Sequence, residues 1–138
     1  MISQTAEYAL RGMVFLAMRD SAVTGQEIAE ATKVPPGYLS KIMQQLVKAR
    51  LVNSQRGIGG GFVLSRKSID ISILDVVNAV DPIERITTCP LGLSSHGLNL
   101  CPLHKRLAEA TAHVEAAFAA SSLNELVVES KAPLCADC

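Results

Sequence analysis

Two cysteines and a histidine are the residues of this sequence best suited to chemistry: Cys89, Cys101 and His104. Paired cysteines in an intracellular protein are more typical of metal binding or redox chemistry than of a lasting disulfide. Cys101 precedes Pro102, and proline is favoured in the first turn of a helix. The free amides and the dipole of a helix start favour the thiolate, the form that binds metal. Because His104 falls over the same turn, the Cys-x-x-His spacing predicts that Cys101 and His104 can reach one metal centre.

Three states of this site are compatible with the residue types. Cysteine with histidine can ligate an iron–sulfur cluster. Zinc accepts two cysteines, a histidine and a carboxylate equally well. Without metal, Cys89 and Cys101 can act as a reversible thiol switch.

A second pair, Cys135 and Cys138, is spaced for metal or disulfide chemistry. It lies on a segment predicted to be a tail, without the strand and helix context of a redox enzyme. A thiol enzyme built on this pair lacks a visible general base and substrate pocket. We therefore interpret the pair as functionally silent and predict that the chain is not an enzyme.

A glycine-rich stretch, Arg-Gly-Ile-Gly-Gly-Gly-Phe at 56–62, indicates a different kind of chemistry, which is contact with nucleic acid. It separates two segments with strand character, 51–55 and 62–65, and so predicts the tip of a β-hairpin. Glycines allow such a tip to approach another polymer closely and to adopt positive φ. An exposed arginine there can reach phosphates or enter a minor groove. Arg56, Gly59 and Gly60 are therefore predicted to contact DNA.

Three helices are predicted ahead of this hairpin. Apolar residues recur at helical spacing over 5–18, and the capping box Thr24-x-x-Glu27 opens a short second helix. Pro36 begins the third helix, whose predicted inward stripe is Leu39, Ile42, Met43, Leu46 and Val47. A second capping box, Ser72-x-x-Asp75, opens a helix after the hairpin. Helix, short helix, tight turn, helix and hairpin follow one another as in a winged helix-turn-helix, in which the third helix reads the major groove. The residues of that helix predicted to face DNA are Gly37, Tyr38, Ser40, Lys41 and Gln44.

A long helix is predicted for residues 102–121, where the spacing of Leu103, Leu107 and the apolar residues that follow forms a heptad seam. The predicted fold is mainly α with a small β-hairpin: a winged helix-turn-helix followed by a long C-terminal dimerisation helix. The predicted divisions are a DNA-binding domain at 1–82, a cysteine-containing sensor loop at 83–101, the dimerisation helix at 102–121 and a flexible tail at 122–138.

Composition supports a folded DNA-binding protein. The 138 residues are 49% hydrophobic and 19% charged, which is typical of a globular chain. Residues 1–67 hold nine Lys/Arg and four Asp/Glu, a net charge of +5, whereas the remainder carries −5. This asymmetry favours a polyanion as the partner of the N-terminal half. No apolar stretch is long enough to span a membrane and no signal-peptide pattern is present, so we expect a cytoplasmic protein without a membrane partner.

Three segments resemble one protein family: Tyr8-Ala-Leu-Arg11, the stretch from Tyr38 to Leu46, and above all 56–62. They are similar to the Rrf-two type of bacterial transcriptional regulators, the family of IscR-, NsrR-, RirA- and CymR-like proteins. The resemblance covers residues 1 to about 121. It implies a homodimer that crosses its long C-terminal helices and binds a palindromic site in double-stranded promoter DNA. It also implies that Arg56 is the wing arginine used in the minor groove.

The same resemblance bears on the cysteines. Family members that hold a cluster usually have three cysteines in the loop, and the first and last match Cys89 and Cys101. His104 falls where IscR-like members place a histidine ligand. The middle cysteine is missing, because that region reads Ser94-Ser95-His96. Either His96 or Glu7 of the partner subunit would then complete the site.

The resemblance therefore implies a regulator, expected to be a repressor, that senses redox, iron or nitric oxide status through a cluster at Cys89 and Cys101. A [2Fe–2S] cluster is expected, and [4Fe–4S] is also compatible. The alternative is a metal-free regulator of the same type, controlled by thiol oxidation or by a protein partner.

Overall fold

The computed structural model describes residues 2–88, 91–92 and 100–130. Two strands form one antiparallel hairpin in which Val52 pairs with Leu64 and Gln55 with Gly61. The elements in chain order are α1 (Gln4–Ala17), α2 (Gly25–Thr32), α3 (Pro36–Lys48), β1 (Val52–Gln55), β2 (Gly61–Leu64), a 3-10 turn (Ser68–Asp70), α4 (Ile73–Val80), α5 (Pro102–Ala120) and α6 (Leu123–Glu129). The predicted fold class, mainly helical with one hairpin and a long C-terminal helix, is confirmed.

Helix α1 is the centre of the core, because it packs against α2, α3, α4 and α6. Its residues Met13 and Val14 have no exposed surface. The apolar stripe predicted for α3 is buried against it, and comprises Leu39, Ile42, Met43 and Leu46. Burying this stripe sets the rotation of α3 about its axis and turns its polar side to solvent.

Local hydrogen bonds define where the helices begin and end. In α2 the Thr24 hydroxyl accepts from the Glu27 amide while the Glu27 carboxylate accepts from the Thr24 amide, as the capping box predicts. Ser72 and Asp75 form the same reciprocal cap on α4. Helix α2 ends at Thr32, and Lys33 and Val34 separate it from the Pro35-Pro36 pair at the start of α3. Lys33 ends that helix in the left-handed conformation, at φ 57°.

Residues Leu123–Glu129 form a helix, so the prediction of a flexible tail from residue 122 is wrong for this segment. Leu123 has no exposed surface and belongs to the core. Its amide donates to the Ile71 carbonyl at 2.9 Å. The polar residues of the segment suggested a tail, and the burial of Leu123 was not predicted. The capping box Ser122-x-x-Glu125 is nevertheless visible in the sequence. Cys135 and Cys138 lie outside the described residues.

Helix α5 is the longest helix at 19 residues, and none of its residues is buried. The first two seam residues, Leu103 and Leu107, are 63% and 46% exposed. An ion pair between Arg85 and Glu115 connects the segment after α4 to α5. In the described part of the chain, no helix combines the length and apolar character needed to cross a membrane.

Candidate nucleic-acid interface and cysteine site

One side of α3 presents polar side chains to solvent next to the hairpin. All five α3 residues predicted to face DNA are exposed: Gly37, Tyr38, Ser40, Lys41 and Gln44. A helix with one polar face of this size fits the major groove, where hydroxyl and amide groups can hydrogen-bond base edges and lysine can reach phosphate. The structure therefore gathers on one surface the residues that the sequence selected.

The N-terminal end of α3 is open. Its N-cap residue, Pro35, forms no side-chain cap hydrogen bond. A Cβ added to Gly37 would meet no atom within 4 Å, so the backbone there faces free space. Unsatisfied amides at a helix start attract phosphate. This end of the helix is thus suited to lie against a nucleic-acid backbone.

Tyr38 is held by a cluster that sequence reasoning did not predict. Its ring lies edge-on to that of Tyr8 in α1, with centroids 6.3 Å apart. The Arg11 guanidinium carbon lies 5.5 Å from the centre of the Tyr8 ring, and Arg11 also pairs with Glu7. Edge-to-face rings attract one another, so the cluster orients a tyrosine that is still 57% exposed on the reading face. The helical spacing of Tyr8 and Arg11 was visible in the sequence, but their contact with Tyr38 was not.

The hairpin tip is a tight glycine turn. Gly57 and Gly59 have φ of 93° and 75°, and the Gly60 amide donates to the Gly57 carbonyl at 3.0 Å. A Cβ on Gly60 would lie 2.6 Å from the Gln55 carbonyl oxygen, so only glycine fits there. Arg56 is exposed at this tip. An exposed arginine at a hairpin tip can reach into a groove of DNA.

Cys101 and His104 are together at the start of α5. Cys101 is the N-cap residue, and its Sγ lies 3.2 Å from His104 Nδ1. Both residues are partly buried. The separation of Sγ and Nδ1 is a hydrogen-bond distance between sulfur and nitrogen, and it is slightly shorter than the roughly 3.5 Å between the sulfur and nitrogen ligands of a tetrahedral zinc ion. The predicted convergence of Cys101 and His104 is present in the structure.

The other predicted ligands are not assembled with this pair in the described residues. Cys89 and His96 lie outside those residues. Glu7 is exposed on α1, where its carboxylate pairs with Arg11. Among residues 2–88, 91–92 and 100–130, no group of three or more His, Cys, Asp or Glu side chains converges on one point. Within the described residues, Cys101 and His104 are thus two neighbouring candidate ligands without a third beside them.

Comparison with known proteins agrees with this architecture. The Rrf2 family, described as iron-dependent transcriptional regulators, matches residues 2–129. A protein of Aquifex aeolicus (strain VF5), designated an HTH-type transcriptional regulator, is 31% identical over 134 residues, which cover 94% of this chain and 93% of that protein.

Two solved structures share the fold. IscR of T. potens has a TM-score of 0.77 at 22% identity, with 93% of this chain and 86% of that chain covered. CymR, the global cysteine regulator of B. subtilis, has a TM-score of 0.75 at 22% identity, with 94% and 98% covered.

These relatives are transcriptional regulators and not enzymes, as the sequence predicted, and the structural neighbours are winged-helix proteins. The family match spans nearly all of the described chain, including the reading helix, the wing and the start of α5. The chain therefore belongs to the Rrf2 family of DNA-binding transcriptional regulators.

Proposed function

We propose that this regulator is a cytoplasmic homodimer that represses transcription from a palindromic promoter site, with its DNA affinity set by an iron–sulfur cluster at Cys89 and Cys101. The observation that carries the DNA-binding part is the exposure of polar residues on α3 together with that of the wing tip. Polar α3 side chains and Arg56 are exposed on the half of the chain that carries a charge of +5. Basic surfaces of this kind attract the phosphate backbone before any base is read.

On this surface each group has a distinct role. Ser40 and Gln44 read base edges in the major groove, and Lys41 neutralises a phosphate. The amides at the open start of α3, around Gly37, donate hydrogen bonds to a backbone phosphate. Gly59 and Gly60 let the wing backbone approach the duplex. Arg56 enters the minor groove, where a narrow A·T-rich tract attracts arginine.

The exposed seam of α5 supports a homodimer. Leu103 and Leu107 begin an apolar stripe at heptad spacing on a helix with no buried residue. Two such stripes can bury one another, and the small residues between them allow close approach. A two-fold dimer would present two α3 helices to the two halves of a palindrome.

The cysteine site supports a sensor. Cys101 and His104 supply a sulfur and a nitrogen 3.2 Å apart at the start of α5, where they would be ligands of a [2Fe–2S] or [4Fe–4S] cluster. Cys89, with Glu7 of the partner subunit, would complete the ligand set. A bound cluster supplies a redox-active iron centre that oxidation or nitric oxide can alter or remove.

The location of this pair indicates how sensing would reach DNA. Cys101 caps the helix proposed to form the dimer interface. If Cys89 and Cys101 ligate one cluster, the start of α5 would be pinned to the preceding loop. Releasing them would change the separation of the two α3 helices relative to the palindrome, and with it the operator affinity.

A metal-free regulator is the second candidate. The loop has Ser94 and Ser95 where cluster-binding relatives have a third cysteine, and CymR shares the fold. In that case Cys89 and Cys101 respond by thiol oxidation, or a protein partner controls the regulator. Zinc at Cys101 and His104 would also leave the protein without iron.

Binding of DNA is tested with Arg56→Ala, on double-stranded DNA that the wild-type protein selects from a random pool. Loss of a specific wing contact should weaken binding by about 1–3 kcal/mol, because the arginine is exposed at the tip. Arg106→Ala removes the same charge from the exposed surface of α5 and is the matched control. Equal dissociation constants for the wild type and Arg56→Ala would remove the wing from the interface.

The sensor is tested by the visible spectrum and the iron and sulfide content of protein purified without oxygen. Cys101→Ala and His104→Ala should each lower the iron content and alter the spectrum, since their Sγ and Nδ1 atoms, 3.2 Å apart, are the proposed ligands. His113→Ala, exposed on the same helix, should leave both unchanged. Colourless, iron-free wild-type protein would favour the metal-free candidate. Operator affinity that Cys89→Ala and Cys101→Ala leave unchanged under every redox condition would contradict coupling.

A further inference from the structure

The wing is attached to the segment that leads into α2. Val23, between α1 and α2, forms an antiparallel bridge with Phe62 of β2. The Val23 amide donates to the Phe62 carbonyl at 2.9 Å, and the Phe62 amide donates to the Val23 carbonyl at 2.7 Å. Val23 thus acts as a third strand, one residue long, beside the hairpin. Both bonds are between backbone groups, so they fix the path of β2 and not only a side chain.

Gly61 is the residue that allows this attachment. A Cβ there would lie 2.4 Å from the Val23 carbonyl oxygen and 2.9 Å from the Thr24 amide nitrogen. Its φ of 140° is also one that other residues rarely adopt. The obstructing atoms belong to backbone, which cannot rotate away as a flexible side chain can. Any side chain at position 61 must therefore push β2 away from Val23.

Phe62 extends the contact to the helix-turn-helix. A Cβ on Gly25, the first residue of α2, would lie 3.6 Å from the Phe62 ring, which places the ring over the helix start. Phe62 packs partly buried against the core. The N-cap residue Thr24 stands between the bridge and the helix. The base of the wing thus rests on α2, the helix that packs against α3.

We propose that Gly61 is a positioning residue for DNA binding, because it seats β2 on Val23 and so sets the distance between Arg56 and the reading face of α3. This inference rests on the proposed minor-groove contact of Arg56. When two DNA contacts lie on one rigid body, formation of the first also positions the second. No further conformational entropy is then lost in forming the second contact. A wing released from Val23 would have to be ordered on the DNA, and Arg56 would then contribute little.

A double-mutant cycle on the DNA selected by the wild-type protein separates positioning from general damage. In the wild-type background, Arg56→Ala should raise the dissociation constant about fivefold or more. In the Gly61→Ala background, the same change should raise it less than about twofold, since the displaced wing no longer delivers the arginine. Ser54→Ala, an exposed substitution in the same hairpin, is the control background and should preserve the full effect of Arg56→Ala.

Circular dichroism and thermal unfolding establish whether Gly61→Ala folds. If it does not, Val23→Pro takes its place in the cycle, because it removes the amide that donates to the Phe62 carbonyl, and it should at least halve the effect of Arg56→Ala. An equal effect of Arg56→Ala in the wild-type and the variant background would overturn the positioning role and leave the wing contact intact. No effect of Arg56→Ala in the wild type would overturn the wing contact itself, and the positioning role with it.

Discussion

Single side chains in this protein set the helix ends on which both proposed sites depend. Glu27 closes the cap of α2, which carries the wing base and packs against α3. Hydrogen bonds from the Thr24 amide and hydroxyl, together with attraction to Arg19, hold the pKa of the Glu27 carboxyl below its usual range. Because the folded pKa is lowered, the ionised cap stabilises the fold at neutral pH. That contribution is lost as the pH falls through the lowered pKa.

We therefore expect Glu27→Gln to reduce the acid dependence of stability. The free energy of unfolding, measured by urea titration from about pH 7 to about pH 3, should fall less steeply in the variant than in the wild type. Glu30→Gln removes one charge from the same helix without touching the cap hydrogen bonds, and should retain the wild-type slope. Parallel slopes for Glu27→Gln and the wild type would contradict a role of this cap in acid stability.

Helix α6 completes the packing around α1 and connects the end of α5 to the core. A short connection joins α5 to α6. Its Ser121 carbonyl accepts a hydrogen bond from the amide of Ile73, the first residue of α4, at 2.9 Å. Helix α6 then packs on α1, and Leu123 inserts into the core. The end of α5 is thereby attached to the DNA-binding domain, and Phe118 of α5 also packs partly buried against that core. In the proposed sensor, a movement at the start of α5 would be transmitted along a helix whose other end is fixed.

Leu123→Ala should destabilise the whole domain by about 2–5 kcal/mol, because it leaves a cavity where a side chain has no exposed surface. Val128→Ala in the same helix is the control, since Val128 is 74% exposed and should change stability by less than about 0.5 kcal/mol. Chemical denaturation of both variants measures the difference. Equal stabilities would mean that α6 is not part of the cooperative fold.

Charge and exposed apolar residues are unevenly distributed along the chain. Its first 67 residues carry +5 and hold the reading helix and the wing, whereas the remainder carries −5 and holds the exposed seam of α5. This distribution of charge favours an approach to DNA through the basic N-terminal segment. The apolar seam of α5 is then available for a second copy of the chain.

Leu107→Glu should convert the proposed dimer to a monomer, because it places a charge in the middle of the apolar seam. Sedimentation equilibrium should show a mass near 14.7 kDa for the variant and about twice that for the wild type. Affinity for the palindrome should fall with it. Lys105→Glu, exposed on the same helix but off the seam, is the control for an added negative charge. A variant that stays dimeric would place the interface elsewhere.

Local patterns were sufficient to predict the helices and strands up to α5, but not α6. Capping boxes at Thr24 and Ser72, the apolar stripe of α3 and the glycines of the hairpin each depend on residues within a few positions of one another. The same holds for Cys101 and His104, which are one helical turn apart. For this reason the fold class, the exposed reading residues and the cysteine–histidine pair could be predicted before the structure was known.

Contacts between distant segments could not be predicted in this way. Three contacts join residues at least thirty positions apart. Val23 pairs with Phe62, Tyr8 lies edge-on to Tyr38, and the buried Leu123 hydrogen-bonds to Ile71. No local spacing encodes such contacts, because they arise only when the helices pack around α1. The sequence therefore indicated which residues can meet DNA or metal, whereas the packing of distant backbone and rings determined how the wing and the reading helix are held relative to each other.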